Sequence, residues 1–97
     1  MSDFYEVVTS GTGASDTIDL RERDGHGRES GRYLFVAFSE TFGAATLQLS
    51  LDGETFVNAA AEWDDDAVIE LPGNAVYRLN VATHSAAITL QARRVSQ

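Results

Sequence analysis

The chain has 97 residues, no cysteine and a formal net charge of −8. This length suits a single domain with one hydrophobic core, and the missing thiols exclude disulfides and thiolate metal sites. The excess of carboxylates repels phosphate groups, which argues against nucleic acids and anionic membranes as partners.

Short segments in which apolar and polar residues alternate follow one another along the chain, and this period of two predicts β-strands. In chain order, the predicted strands span residues 4–9, 17–21, 32–39, 46–51, 54–60, 67–71, 76–81 and 87–93. Residues 32–39 are apolar on both faces, which predicts either a central strand or a strand whose outer face meets a partner. The dipeptide Asp52-Gly53 is the strongest hairpin signal, and residues 72–74 mark a turn.

About eight strands at regular spacing predict an all-β fold, either an antiparallel β-sandwich or a jelly-roll-like small barrel, with residues 1–97 as one domain. A short helix over residues 58–63 is the alternative for that segment, because NAAAEW contains good helix formers. The buried core is predicted at inward strand positions. Its members are Leu47, Leu49, Phe56, Ile69, Tyr77, Leu79, Ile88 and Leu90.

A charged segment at residues 21–32, which we call the arm, interrupts the strand pattern. It holds four of the seven arginines, three of the fifteen acidic residues and three of the eight glycines. Such a segment cannot bury itself, so a flexible loop is predicted. Guanidinium groups bind carboxylates in bidentate fashion, which favours docking to another protein. The alternative is a solvated loop whose charges screen one another.

Residues 62–66 place four acids around Trp63, and clustered carboxylates can hold calcium. However, successive residues on a strand point to opposite faces, and the D-x-D-x-D-G spacing of a calcium loop is absent. We therefore predict an exposed acidic turn and no metal site.

Three further motifs are too weak to indicate catalysis. The two histidines, His26 and His84, are far apart and supply too few ligands for zinc. The glycines of residues 11–16 precede a strand pattern, whereas a phosphate-binding loop precedes a helix, so a plain turn is predicted there. No G-x-S-x-G nucleophile motif occurs. The chain is predicted to have no catalytic residues and no cofactor.

The second half of the chain, about residues 44–95, resembles small virion proteins of tailed bacteriophages and related archaeal viruses. In that group a strand ending in S-x-D-G-x-T-[FW] is often followed by an L-P-x-G-x-Y/V-R-L strand. The matching residues are Ser50, Asp52, Gly53, Thr55 and Phe56, then Leu71, Pro72, Tyr77, Arg78 and Leu79. The resemblance implies a non-enzymatic structural role, such as capsid decoration or a tail or adaptor component.

Our leading hypothesis is a capsid decoration (cement) protein that binds the particle surface and reinforces it. We expect its partner to be a viral capsid or tail protein, and we expect several copies to form a homo-oligomer on the particle. The partner-binding residues predicted for it are Arg21, Arg23, Arg28 and Arg32 for charge-assisted contacts, with Phe4 and Tyr5 as apolar anchors. Because the first residues lack a basic region followed by an apolar run, we expect synthesis in the host cytoplasm and a location in the virion.

The second hypothesis is a carbohydrate-binding β-sandwich module. Modules of this kind place aromatic rings on an exposed face, and the rings available are Trp63 with Tyr33 or Tyr77.

Overall fold

The fold is a β-sandwich, described by a computed structural model over residues 4–21 and 31–96. These residues form nine strands: β1 (Phe4–Thr9), β2 (Gly13–Ala14), β3 (Ile18–Asp19), β4 (Arg32–Phe38), β5 (Ala44–Ser50), β6 (Val57–Asn58), β7 (Ala67–Pro72), β8 (Val76–Thr83) and β9 (Ile88–Ser96). Within those ranges no helix is long and apolar enough to cross a membrane.

The strands form two antiparallel sheets. The four-stranded sheet has the order β1-β9-β4-β7, so its two central strands are β9 and β4. The five-stranded sheet has the order β2-β8-β5-β6, and β3 also pairs with β8. Most neighbours in both sheets are distant in sequence; β1 pairs with β9, for example. The final strand therefore completes a sheet that the first strand begins.

The core lies between the two sheets and is made by alternate residues of the long strands. In β4 the inward residues Tyr33, Phe35 and Ala37 are fully buried. Phe35 meets Tyr77 of the facing sheet with ring centroids 4.5 Å apart, a spacing typical of favourable aromatic pairs. The remaining core side chains are Ile18, Leu20, Ala45, Leu47, Ala75, Leu79, Val81, Ile88, Leu90 and Ala92.

The all-β prediction is confirmed, and the separation into two sheets identifies the fold as a sandwich. Five predicted core residues, Leu47, Tyr77, Leu79, Ile88 and Leu90, are buried. Two more, Leu49 and Ile69, are partly buried and pack against the core.

Phe56 was predicted in the core, and that prediction is wrong. Its ring lies under the guanidinium of Arg78, whose Cζ is 3.8 Å from the ring centroid. Arg78 lies between the inward residues Tyr77 and Leu79, so its side chain points to the solvent side of β8. Phe56 is therefore placed by a cation–π contact on the surface and not by the hydrophobic interior.

Two local predictions also differ from the structure. The predicted strand over residues 54–60 is only two residues long, and the alternative helix over residues 58–63 does not form. The turn predicted near residues 11–16 contains β2, where Gly13 and Ala14 pair with Val81 and Asn80. The cause is tertiary pairing, since β2 gains its hydrogen bonds from the edge of β8 and not from any local pattern.

Candidate interaction surfaces

The outward side of the four-stranded sheet, which we call the outer face, is unusually apolar. Its apolar side chains are Phe4 and Val8 from β1, Leu34, Val36 and Phe38 from β4, and Val68 from β7. Val8 is 59% exposed, Val68 is 65% exposed, and the two aromatic rings are each more than a third exposed. Several exposed apolar side chains on one face, here interspersed with charged and polar ones, are typical of a surface that meets a protein partner.

Strand register brings these residues into rows across the sheet. One row runs Phe4, Arg93, Leu34, Glu70, and the next runs Glu6, Gln91, Val36, Val68. A shallow groove of about 120 Å³ lies between the rows, lined by Phe4, Leu34, Val36, Gln91, Ala92 and Arg93. The groove gives the outer face a place to accept one side chain of a partner.

The charges on the outer face cancel. Arg32 donates from Nε to Glu70 Oε2 at 3.0 Å, and the Arg93 guanidinium lies 5.1 Å from the Phe4 ring centroid. Glu6 Oε2 accepts from Gln91 Nε2 at 2.8 Å. Two arginines thus balance two glutamates on a protein whose net charge is −8. The outer face therefore avoids the like-charge repulsion that the rest of the surface imposes on association.

The two ends of the arm are held to the body of the sandwich. Arg21 binds Asp19 in bidentate fashion, with Nε to Oδ1 at 3.0 Å and Nη2 to Oδ2 at 2.8 Å, and its guanidinium lies over Gly53. The hydrogen bond and charge of Asp19 raise the pKa of Arg21. Arg32, at the other end, pairs with Glu70. Arg21 and Arg32, both predicted to contact a partner, therefore already form ion pairs within their own chain.

The other predicted partner-binding residues do not lie together on one described surface. Arg23 and Arg28 lie outside the described residues. Phe4 is on the outer face, whereas Tyr5 points inward and packs against Tyr33, with ring centroids 6.2 Å apart. The two aromatic residues predicted as anchors therefore belong to opposite sides of one sheet.

A pocket of about 400 Å³ lies between the end of β5 and the start of β6. It is lined by Leu49, Ser50, Leu51, Asp52, Thr55 and Val57. Leu51 is 75% exposed, so the pocket has an apolar rim.

Asp52 orders the loop that forms the pocket wall. Its Oδ1 accepts from the backbone N–H groups of Thr55 and Glu54 and from Ser50 Oγ, each at 2.8 Å. Hydrogen bonds to the carboxylate, from Thr55 and Glu54 first, lower the pKa of Asp52 to about 2. The pocket therefore carries a fixed negative charge at neutral pH.

The acidic segment near Trp63 is anchored through its backbone. Trp63 exchanges backbone hydrogen bonds with Ala45, and Asp66 Oδ1 accepts from the Ser39 N–H at 3.2 Å. In the described ranges, no group of three or more histidine, cysteine or carboxylate side chains could hold a metal ion.

The aromatic platform of the carbohydrate hypothesis does not exist as predicted. Tyr33 and Tyr77 are both fully buried, and neither ring can stack on a sugar. Tyr77 donates its hydroxyl to the carbonyl oxygen of Pro72 at 2.5 Å, and burial raises the pKa of Tyr77 to about 12. This tyrosine joins the two sheets and does not face solvent.

Sequence reasoning did not identify Leu34, Val36, Phe38 and Val68 as contact residues, although the structure gathers them on the outer face. One signal was available, because residues 32–39 are apolar on both faces. The structure confirms that β4 is a central strand, with its inward residues buried and its outward residues half-buried or exposed.

A scan of protein families finds no family that matches this chain, and searches of curated proteins and of solved structures also give no match.

Proposed function

We propose that this protein is a non-enzymatic structural protein of the capsid-decoration type, which binds neighbouring protein subunits through the outer face of its four-stranded sheet. The observation that carries the proposal is the apolar, charge-balanced outer face. A surface of this composition gains free energy when another protein covers it, at about 25 cal/mol per Å² of apolar area. The resemblance of residues 44–95 to small virion proteins is the reason for proposing a capsid or tail subunit as the partner.

A partner could bind the outer face without a rearrangement of this chain. Arg32 and Glu70 already form an ion pair within the chain, so docking would not bury either of these two charges alone. Its strands belong to a packed sheet, so the backbone loses little entropy on binding. Arg32, the last residue of the arm, lies on the outer face, and we expect Arg23 and Arg28 to add charge-assisted contacts to the partner.

The test is reassembly on particles that lack the protein. Particles from a deletion strain of the virus that encodes this chain are mixed with recombinant protein, and bound copies per particle are counted by quantitative gel analysis. We expect saturable binding that raises the temperature at which the particles release their genome. Phe38→Glu combined with Val68→Glu should abolish binding, because it buries two carboxylates at the contact.

The matched control is Ala82→Glu, which adds a carboxylate at an exposed position of β8 on the other sheet. It should bind like the unaltered protein. Loss of binding in the control with retention in the double variant would place the contact on the five-stranded sheet and contradict the proposal. Absence of the protein from purified particles would contradict the virion assignment altogether.

A tail or adaptor component would use the same surface on a different subunit. Comparing binding to tail-less capsids with binding to isolated tails separates these two assignments. The genes beside this one give an independent indication, since capsid, portal or tail genes are expected there.

A further inference from the structure

The pocket between β5 and β6 combines apolar walls with one fixed charge. Its volume of about 400 Å³ lies in the range of small-molecule sites. Leu49 lines the pocket and also packs against the core, while Leu51 and Val57 line it as exposed side chains. Val57 is paired with Leu49 in the register of the two strands. The pocket therefore offers an apolar surface that continues from the margin of the core to the solvent.

The polar side of the pocket is made by Ser50, Asp52 and Thr55. Asp52 Oδ1 accepts three hydrogen bonds, two from backbone N–H groups and one from Ser50 Oγ. Ser50 is fully buried, and its Oγ in turn accepts from the Gly53 N–H at 2.8 Å. The fold therefore holds the carboxylate in one orientation, so a ligand would not have to order it on binding.

One oxygen of Asp52 remains available to a ligand. In the part of the chain that the structure describes, every hydrogen bond to this carboxylate ends on Oδ1, which leaves the acceptor capacity of Oδ2. Arg21 lies close to this loop, but it already binds Asp19 in bidentate fashion. Asp19 and Asp52 carry two negative charges against the one positive charge of Arg21. The group of three side chains therefore keeps an excess negative charge that attracts a cation.

We propose that this pocket binds an organic cation, an ammonium group carried by a small aliphatic or aromatic group. The apolar part lies against Leu49, Leu51 and Val57, and the ammonium group donates to Asp52 Oδ2. Hydrogen bonds between two charged groups are stronger than those between neutral groups. A neutral ligand of the same shape leaves the carboxylate unused, and an anion is repelled by it.

The charge of the whole chain favours the same class of ligand. A net charge of −8 raises the concentration of cations around the protein and lowers that of anions. The inference does not depend on the proposed function, because β5 and β6 belong to the five-stranded sheet and the outer face to the four-stranded sheet. Failure of one proposal therefore leaves the other intact.

The cation can come from a free amine or from a lysine side chain of another protein, because both carry an ammonium group on an apolar stem. Two probes distinguish these sources. Phenethylammonium represents a free aromatic amine, and N-acetyl-lysine amide represents a lysine within a chain. Tighter binding of the first assigns the pocket to a small molecule, and tighter binding of the second assigns it to a protein side chain.

Binding is measured by titrating each probe into the isotopically labelled protein and following the backbone amide resonances by NMR. We expect saturable shifts at Leu51, Thr55 and Val57. Phenethyl alcohol, the neutral counterpart of phenethylammonium, should bind about five-fold more weakly, the factor expected from the attraction of unit charges about 4 Å apart in water. Equal affinity for the cation and the alcohol, or no saturable shift with either cation, would overturn the proposal.

Asp52→Asn tests the role of the carboxylate. The amide oxygen can still accept from the donors of the loop, but the negative charge is lost. The preference for phenethylammonium over the alcohol should disappear, while the affinity for the alcohol is retained. The matched control is Glu54→Gln, which removes one charge from the same loop at a residue outside the pocket lining. An equal loss of preference in both variants would mean that net charge, and not Asp52, selects the cation.

A second variant tests the site without altering the hydrogen bonds of the loop. Leu51→Lys places a positive charge at the pocket, and the fold should be unaffected because Leu51 is exposed. Binding of phenethylammonium should weaken, and binding of the alcohol should change much less. The control Val68→Lys changes the net charge equally on an exposed residue of the other sheet. If both lysine variants weakened cation binding to the same degree, the cation would not lie in this pocket.

Discussion

Asp52 is an exposed carboxylate whose pKa lies well below its ordinary value. Three donors hold its Oδ1, and the pKa is lowered from 3.8 to about 2. A carboxyl group with a lowered folded-state pKa stabilises the fold above its unfolded pKa, and this contribution is lost as the pH falls from about 4 through about 2. Asp52→Asn keeps an acceptor oxygen but loses the charge. Thermal unfolding of the variant should show a lower Tm at pH 7 and a smaller decline between pH 4 and 2.

The control for this change is Glu62→Gln. It removes one negative charge from another exposed loop, and its carboxylate accepts no hydrogen bond from the residues that the structure describes. Its acid dependence should match that of the unaltered protein. If Asp52→Asn retained the full decline at low pH, the hydrogen bonds of Asp52 would not be the origin of the effect.

Tyr77 of β8 is joined to the last residue of β7 by one hydrogen bond. Tyr77→Phe removes the donor to the Pro72 carbonyl, and urea unfolding should show a loss of about 0.5–1.5 kcal/mol. A second readout lies at alkaline pH. Because the pKa of Tyr77 is raised to about 12, the unaltered protein loses stability as the pH rises from about 10 to 12. The phenylalanine variant should lack this component, and an unchanged alkaline decline would contradict the assignment.

At the scale of the strand, Gly43 permits the close approach of β5 to the end of β8. A Cβ at this position would collide with the carbonyl oxygen of Thr83, which is backbone and cannot move aside. The register of β5 against β8 also shifts between Ala44 and Ala45. Gly43→Ala should lower the free energy of unfolding by about 1–3 kcal/mol in urea titration, the usual effect of overpacking.

Gly11 provides the matched control, because a Cβ there meets no atom within 4 Å. Gly11→Ala should be neutral or slightly stabilising, since alanine restricts the unfolded chain. Equal effects at the two positions would show that loss of glycine freedom, and not the collision with Thr83, determines the outcome.

The alternation of apolar and polar residues was the most reliable signal for strands in this sequence. It located β1, β4, β5, β7, β8 and β9 to within about three residues, because one face of each must be buried. It failed at β2, whose Gly13 and Ala14 carry no pattern. It also failed at Phe56, because an apolar residue beside a turn gives no indication that a cation from another strand will cover it.

At the scale of the whole molecule, sequence could not supply the pairing of the strands. The neighbours β1 and β9, or β4 and β7, are chosen by how all the inward faces pack together. For the same reason, the outer face was not predicted. Phe4, Leu34 and Val68 come from three strands, and only the finished sheet brings them together.

The role of the arm in attachment can be tested with two pairs of arginine substitutions, one at its ends and one in its middle. Replacing Arg21 and Arg32 with serine breaks the two ion pairs that the structure shows, and the Tm should fall only slightly, because exposed pairs contribute little. Replacing Arg23 and Arg28 should leave the Tm unchanged while weakening attachment to particles. That loss should be larger at low salt, where exposed charges interact more strongly. Unchanged attachment in both double variants would reduce the arm to a solvated loop.

The position of β9 in the middle of the four-stranded sheet also matters while the protein is being made. β9 separates β1 from β4, so β1 has no neighbour in its sheet until the last strand has left the ribosome. At roughly 5–20 residues per second, synthesis from the end of β1 to the end of β9 takes about 4–17 s. During synthesis the chain therefore carries an apolar strand with both edges open, and stalled or truncated nascent chains would be substrates for chaperones and for aggregation.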